Sequence, residues 1–171
     1  MSADFPNPFG GYRWAVVDPD QELLAQLPVA DLVQGAVNGT VEEAADARYG
    51  HRLFAELDRR GDGAWWQAAV ICLDFLARNP VNGLEGVAAA AELRRAARSA
   101  STPAARLGLE VLAEHRAGGA AAAAVVWEGA LPAQRAEAGR KLFVITCASA
   151  RSGSAVLAPP QVIELNQKLV G

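Results

Sequence analysis

The chain has 171 residues, a hydrophobic share of 51% and a formal net charge of −3. That length suits one domain with a short appendage and a core large enough to fold without disulfides or metals, and the apolar share excludes disorder throughout. The mild acidity argues against a nucleic-acid binder, which carries a strong basic patch. The commonest residue, alanine, is the best helix former and points to an all-α fold.

Residues 1–17 differ from everything that follows. Pro6, Pro8, Gly10 and Gly11 exclude regular helix, and Phe5, Phe9, Tyr12 and Trp14 concentrate aromatic side chains in this arm. Tyr12 to Val17 reads as a short strand. An arm this aromatic is expected to pack on its own domain or on a partner, so its four aromatics are candidate interface residues.

From residue 18 to 171 the pattern predicts a single helical domain. Asp18-Pro19-Asp20-Gln21 carries a cap, a first-turn proline and a capping-box glutamine, with Leu23, Leu24 and Leu27 as the apolar side. Pro28 opens a second helix that is expected to end near Asn38-Gly39. Thr40 and Glu43 have capping-box spacing, and Val41, Ala45, Tyr49, Leu53 and Leu57 follow at helical period. Arg59-Arg60-Gly61 reads as the stop, with cations at the negative end of the dipole.

Ala64 to Arg78 is apolar nearly all round, through Trp65, Trp66, Ala69, Val70, Cys72, Leu73, Phe75 and Leu76, which predicts a central helix. Asn79-Pro80 closes it. The next helix starts at Asn82 and Glu85 and is expected to turn Leu84, Val87, Ala88 and Ala91 inward. Thr102-Pro103 starts another, with Leu107, Val111 and Leu112 inward and Gly118-Gly119 as its break. Ala120 to Glu128 forms a further helix. Leu131-Pro132 opens a long one that breaks at Ser152-Gly153-Ser154, and Pro160 opens a last one through Val162, Leu165 and Leu169. The sum is an antiparallel array of about eight helices.

The chemistry-bearing residues are few. Cys72 and Cys147 lie in apolar runs and read as buried free thiols of a cytoplasmic protein. His51 and His115 lack a second ligand one helical turn away, so no metal is assigned. Gly61-Asp62-Gly63 and Gly118-Gly119 lack the spacing and the lysine of a phosphate loop, and no cofactor follows. No nucleophile stands beside a base in the sequence pattern, and no catalytic residue is assigned. The paired carboxylates Glu42-Glu43 and Asp18-Asp20 fall in first turns, where negative charge suits the helix. Ala117 to Trp127 is too short to span a bilayer, and no secretory signal opens the chain.

Gly63-Ala64-Trp65-Trp66, the stretch Ala88 to Ala100, and Ala123 to Leu131 with Trp127 resemble an uncharacterised bacterial family of Ala-rich helical domains in which a Trp-Trp pair opens a central helix. The resemblance covers about residues 40–135. The chain lacks that family's Gly- and Pro-rich segment after Trp127, and the aromatic arm lies outside the pattern. What the resemblance implies is an accessory protein of a bacterial multiprotein system, such as a secretion machine.

The residues alone point to a non-enzymatic protein–protein interaction module: an adaptor, a chaperone-like protein or a structural subunit. Its partner is another protein or a second copy of the chain, with no nucleic acid and no membrane span. Trp65 joins Phe5, Phe9, Tyr12 and Trp14 as a candidate anchor, because adjacent tryptophans point about 100° apart on a helix and both are buried only if the helix is surrounded. The competing expectation is a helical small-molecule-binding protein or enzyme with an interhelical pocket. Arg48, Asp74, Glu92 and Arg140 are the charges to inspect for it, since a charge near an apolar face is costly unless paired.

Overall fold

Alanine-rich helices of ten to twenty residues gain most of their stability from packing rather than from propensity. The computed structural model describes residues 5–6, 12–13, 21–41, 47–78, 81 and 83–152, and side chains for 24–37, 52–78, 81 and 83–150. In the arm, β1 (Phe5–Pro6) pairs antiparallel with β2 (Tyr12–Arg13). The strand expected over 12–17 is thus two residues long among the described residues. The helices are α1 (Gln21–Gln26), α2 (Val29–Val41), α3 (Ala47–Arg60), α4 (Asp62–Ala77), α5 (Gly86–Arg98), α6 (Pro103–Glu128) and α7 (Pro132–Ser152). The fold is an all-α multi-helix array. The expected cap at Asp18 and the helix after Pro160 lie outside the described residues.

Local signals set most boundaries. Leu32 N–H bonds to the Pro28 carbonyl, so α2 starts where the proline ends the preceding turn. The chain reverses from α3 into α4 at Gly61, whose φ of +96° only glycine adopts without strain. Thr102 caps α6 by accepting from Ala105 N–H at 3.1 Å, with Pro103 in the first turn. Gly119, at φ +77°, divides α6 into two helical segments, as the paired glycines predict. Gly118 serves a different purpose: a Cβ there would come within 2.8 Å of the Ala122 Cβ. At α7, Gln134 Oε1 accepts from Leu131 N–H at 3.4 Å, half of a capping box.

Two expectations are corrected. α2 runs through Asn38-Gly39 to Val41, so Thr40 lies in its last turn and not at the start of α3, which begins at Ala47. Of the side chains expected inward, Leu84 precedes α5, and it and Val87, Ala88 and Ala91 of α5 are exposed, while Ala89, Ala90, Leu93 and Ala97 are buried. The reason is that α5 carries alanine on nearly every side. Its one leucine, Leu93, goes into the core, and the alanines beside it let α6 approach.

The central helix is α4, which packs against α2, α3, α6 and α7. α6 runs antiparallel to α4, since Trp66 meets Trp127 while Asp74 meets His115. α7 turns back along α6 and so runs parallel to α4. Asp62 pairs with Arg135, Trp65 lies against Gly139, and Cys72 hydrogen-bonds with Thr146, all in one register. The α5–α6 hairpin is the crossover that makes this parallel pair possible. One continuous core runs from Leu24 in α1 to Cys147 in α7.

Candidate functional site

The densest convergence of aromatic and charged side chains surrounds Trp65. Its ring is 2% exposed, because α7 presents no side chain at Gly139, where a Cβ would fall 2.5 Å from Trp65 Cε3. Phe54 packs on the indole with centroids 5.8 Å apart, and Phe143 meets Phe54 edge-on at 5.5 Å. The buried indole N–H donates to Asp58 Oδ1 at 2.9 Å. Arg140 lies 5.3 Å above the Trp65 ring, donates to Asp58 Oδ2 at 2.6 Å and pairs with Glu137 at 3.4 Å. Asp58 thus serves the indole and the guanidinium together, and the cation rests on a π face. Asp58 of α3 thereby ties Trp65 of α4 and Arg140 of α7 together.

A second pattern concerns helix ends, whose last carbonyls lack partners within the helix. α3 and α5 carry arginines in their own last turns, whereas α1, α4 and α6 carry none. Those three are capped by an arginine from another helix. Arg60 of α3 donates to the Leu24 and Ala25 carbonyls of α1 at 2.8 and 3.3 Å. Arg116 of α6 donates to Leu76 O of α4 at 2.5 Å. Arg135 of α7 donates to Ala130 O and Glu128 O beyond and at the end of α6, at 3.0 and 2.9 Å. Burial lowers the pKa of Arg116 from its usual value.

Arg60 is held in turn by Glu56, a fully buried carboxylate that accepts from Arg59 at 2.6 Å and from Arg60 at 2.8 Å. The Arg59 hydrogen bond, with that of Arg60, outweighs the opposing cost of burial and holds the Glu56 carboxyl at about 2. On α7, burial lowers the Lys141 ammonium from its usual value, with Glu137 acting in the opposite direction. Burial pushes the Cys72 thiol up to about 12, with Thr146 opposing. Cys72 and Cys147 are both free and buried.

His115 Nε2 lies 2.8 Å from Asp74 Oδ1. An ionised carboxylate can only accept, so the ring offers Nε2–H. Nδ1, Arg116 Nε and Trp127 Nε1 are buried atoms without a hydrogen-bond partner among the described residues.

The candidate interface residues fare differently. Trp65 is removed from the surface: the helix that carries it is surrounded, so the ring belongs to the core. Trp66 is half-buried against Trp127, with centroids 5.4 Å apart. In the β1–β2 pair Phe5 is in register with Arg13 and Tyr12 with Pro6, while Phe9 and Trp14 lie outside the described residues. Of the charges put forward for a pocket, Asp74 binds His115, Glu92 pairs with Arg95, and Arg140 belongs to the Trp65 cluster. The side chains of Arg48 and His51 lie outside the described residues. Among the described residues no three His, Cys, Asp or Glu converge as metal ligands, and no helix is long and apolar enough to cross a membrane.

Sequence reasoning missed Asp58, Glu56 and the three capping arginines. The carbonyls that Arg60 and Arg116 cap and the Arg140 partner of Asp58 lie 35 to 82 residues away, whereas Glu56 binds Arg59 and Arg60 of its own helix and Arg135 caps carbonyls 5 and 7 residues back. It also missed the outward-facing apolar residues Leu84, Val87, Val125 and Leu131, which are 39%, 71%, 73% and 66% exposed. No protein-family model, curated protein or solved structure matches this chain.

Proposed function

We infer that this chain is a non-enzymatic protein–protein interaction module, a rigid helical subunit that docks on other protein surfaces. The observation that carries the reading is the exposure of Leu84, Val87, Val125 and Leu131 on a domain whose charged pocket candidates Asp74, Glu92 and Arg140 are spent on internal pairs. Exposed apolar side chains that gather into one patch mark a binding surface, and these four are the residues from which such a patch would be built. The aromatic arm is the second docking element, since Phe5, Phe9, Tyr12 and Trp14 gain by burial against a neighbour. The resemblance of the Trp65-Trp66 segment to Ala-rich bacterial domains supports a place in a multiprotein assembly, such as a secretion machine.

The arm's part in this reading is tested by light scattering on the full chain and on a chain lacking residues 1–14. Removal of the arm is expected to lower the assembled mass. An unchanged mass at matched concentrations would remove the arm from the docking machinery.

A further inference from the structure

The outward face of the α5–α6 hairpin is apolar in its middle and oppositely charged at its two ends. Val87, Ala88, Ala91, Arg95 and Arg98 are all exposed, and at 100° per residue they fall within one stripe of α5 about 100° wide. The stripe is apolar over its first half and basic over its second.

The neighbouring helix continues this face. Arg94 and Glu114 pair at 2.7 Å and fix the antiparallel register of α5 with α6. Ala91 lies three residues before Arg94 and Ala117 three after Glu114, both toward the open end of the hairpin, and Ala117 is also exposed. Past Gly119, the exposed side of α6 is Ala121, Val125 and Glu128. From Ala117 to Trp127 the chain has no charged residue. A solvated helix face normally carries charges, so a charge-free one beside Val87 at 71% and Val125 at 73% exposure is a face without its partner.

The charges at its ends indicate the partner. Arg98 and Arg106 lie at the turn end of the hairpin, and Glu85 and Glu128 at the open end. All four are exposed, and none forms an ion pair among the described residues. The turn end thus holds two unpaired bases, with half-buried Glu110 one turn along from Arg106, and the open end two unpaired acids. Along the chain, Ala91 lies about midway between Glu85 and Arg98, and Ala117 midway between Arg106 and Glu128, with the break at Gly119 between Ala117 and Glu128. A two-fold axis through the level of Ala91 and Ala117 brings acid onto base at both ends and alanine onto alanine in the middle. Self-complementarity of this kind is what an isologous interface requires.

We propose that the exposed α5–α6 face binds a second copy of this chain in an antiparallel, two-fold dimer centred on Ala91 and Ala117. The proposal rests on the interaction-module reading and names its partner. The alanines let the helices of the two copies approach closely. Val87 and Val125 flank the contact, and the Arg106 guanidinium of each copy meets the Glu128 carboxylate of the other.

The test is solution mass by analytical ultracentrifugation over a concentration series, on the full chain and on single variants. Ala91→Arg puts bulk and like charge on the axis, at an exposed site where arginine is a good helix former. Arg106→Glu places acid in the first turn of α6 and Glu128→Arg places base in its last turn, so each suits its own helix dipole. The wild-type chain is expected to dimerise, Ala91→Arg to be monomeric with unchanged circular dichroism, and each charge reversal to weaken the dimer roughly tenfold. The double variant Arg106→Glu/Glu128→Arg is expected to recover wild-type affinity. A wild-type chain that stays monomeric at high concentration overturns the dimer, as does a dimer indifferent to Ala91→Arg. Arm deletion separates the two readings: a dimer that survives it and fails in Ala91→Arg assigns assembly to the hairpin face, and the reverse pattern assigns it to the arm.

Discussion

α4 and α7 meet through a Trp65 ring set against bare backbone at Gly139, buttressed by Phe54 and Phe143 and tied by Asp58 and Arg140. α5 and the first segment of α6 contain no aromatic residue. Their buried side chains are Ala89, Ala90, Leu93 and Ala97 on α5, and on α6 they include Leu107, Leu109, Val111 and Leu112 with the buried Gly108. In the first pair, shape and hydrogen bonding admit one arrangement, because a ring 2% exposed has nowhere else to go. In the second, small side chains allow close approach on several faces, so the choice of buried face is left to the neighbours. The unspecific composition of α5 is also what leaves an apolar face outside.

The largest effect is expected where the close-packed pair is hollowed. Leu73 of α4 is fully buried, and Leu73→Ala should cost about 2–5 kcal/mol in urea unfolding. A cost below about 1 kcal/mol would mean that α4 can collapse around a cavity, and the contrast with α5–α6 would lose its basis.

Gly139→Ala probes the same pair from the other side. The added Cβ meets a ring whose position is fixed, and the cost should be about 1–3 kcal/mol in urea unfolding. Wild-type stability in this variant would show that Trp65 can slide, and that α7 is held by its ion pairs instead.

Acid should act on the polar ties of α1 and α3. Glu56 titrates at about 2 in the folded chain against 4.5 in the unfolded one. Its contribution is therefore complete above about 4.5 and is lost as pH falls toward about 2. In Glu56→Gln the decline of the melting temperature over that window should flatten, with a neutral-pH cost of about 1–3 kcal/mol from weakened charge-assisted hydrogen bonds. A variant that tracks wild type from pH 7 to pH 2 would show that the Arg59 and Arg60 contacts carry little stability.

The smallest effect belongs to the alanine-rich pair. Gly108 is buried in α6, yet a Cβ there would meet nothing within 4 Å. Gly108→Ala should raise stability by about 0.5–1 kcal/mol through helix propensity. A loss instead would reveal tight packing at this position and erase the distinction between the two pairs.

Much of this architecture is legible in the chain itself, because its signals are local. Thr102-Pro103, Gly118-Gly119 and Leu131-Pro132 mark helix ends through backbone geometry and short-range hydrogen bonds. The length and apolar breadth of 64–78 mark α4 as central whatever surrounds it. Three-dimensional packing decided the rest. Which side of α5 is buried depends on α6, since alanine carries almost no directional information. The parallel alignment of α4 with α7 depends on the intervening hairpin. Asp58, Arg60 and Arg116 acquire their roles from interhelical register, and periodicity within a single helix is blind to register.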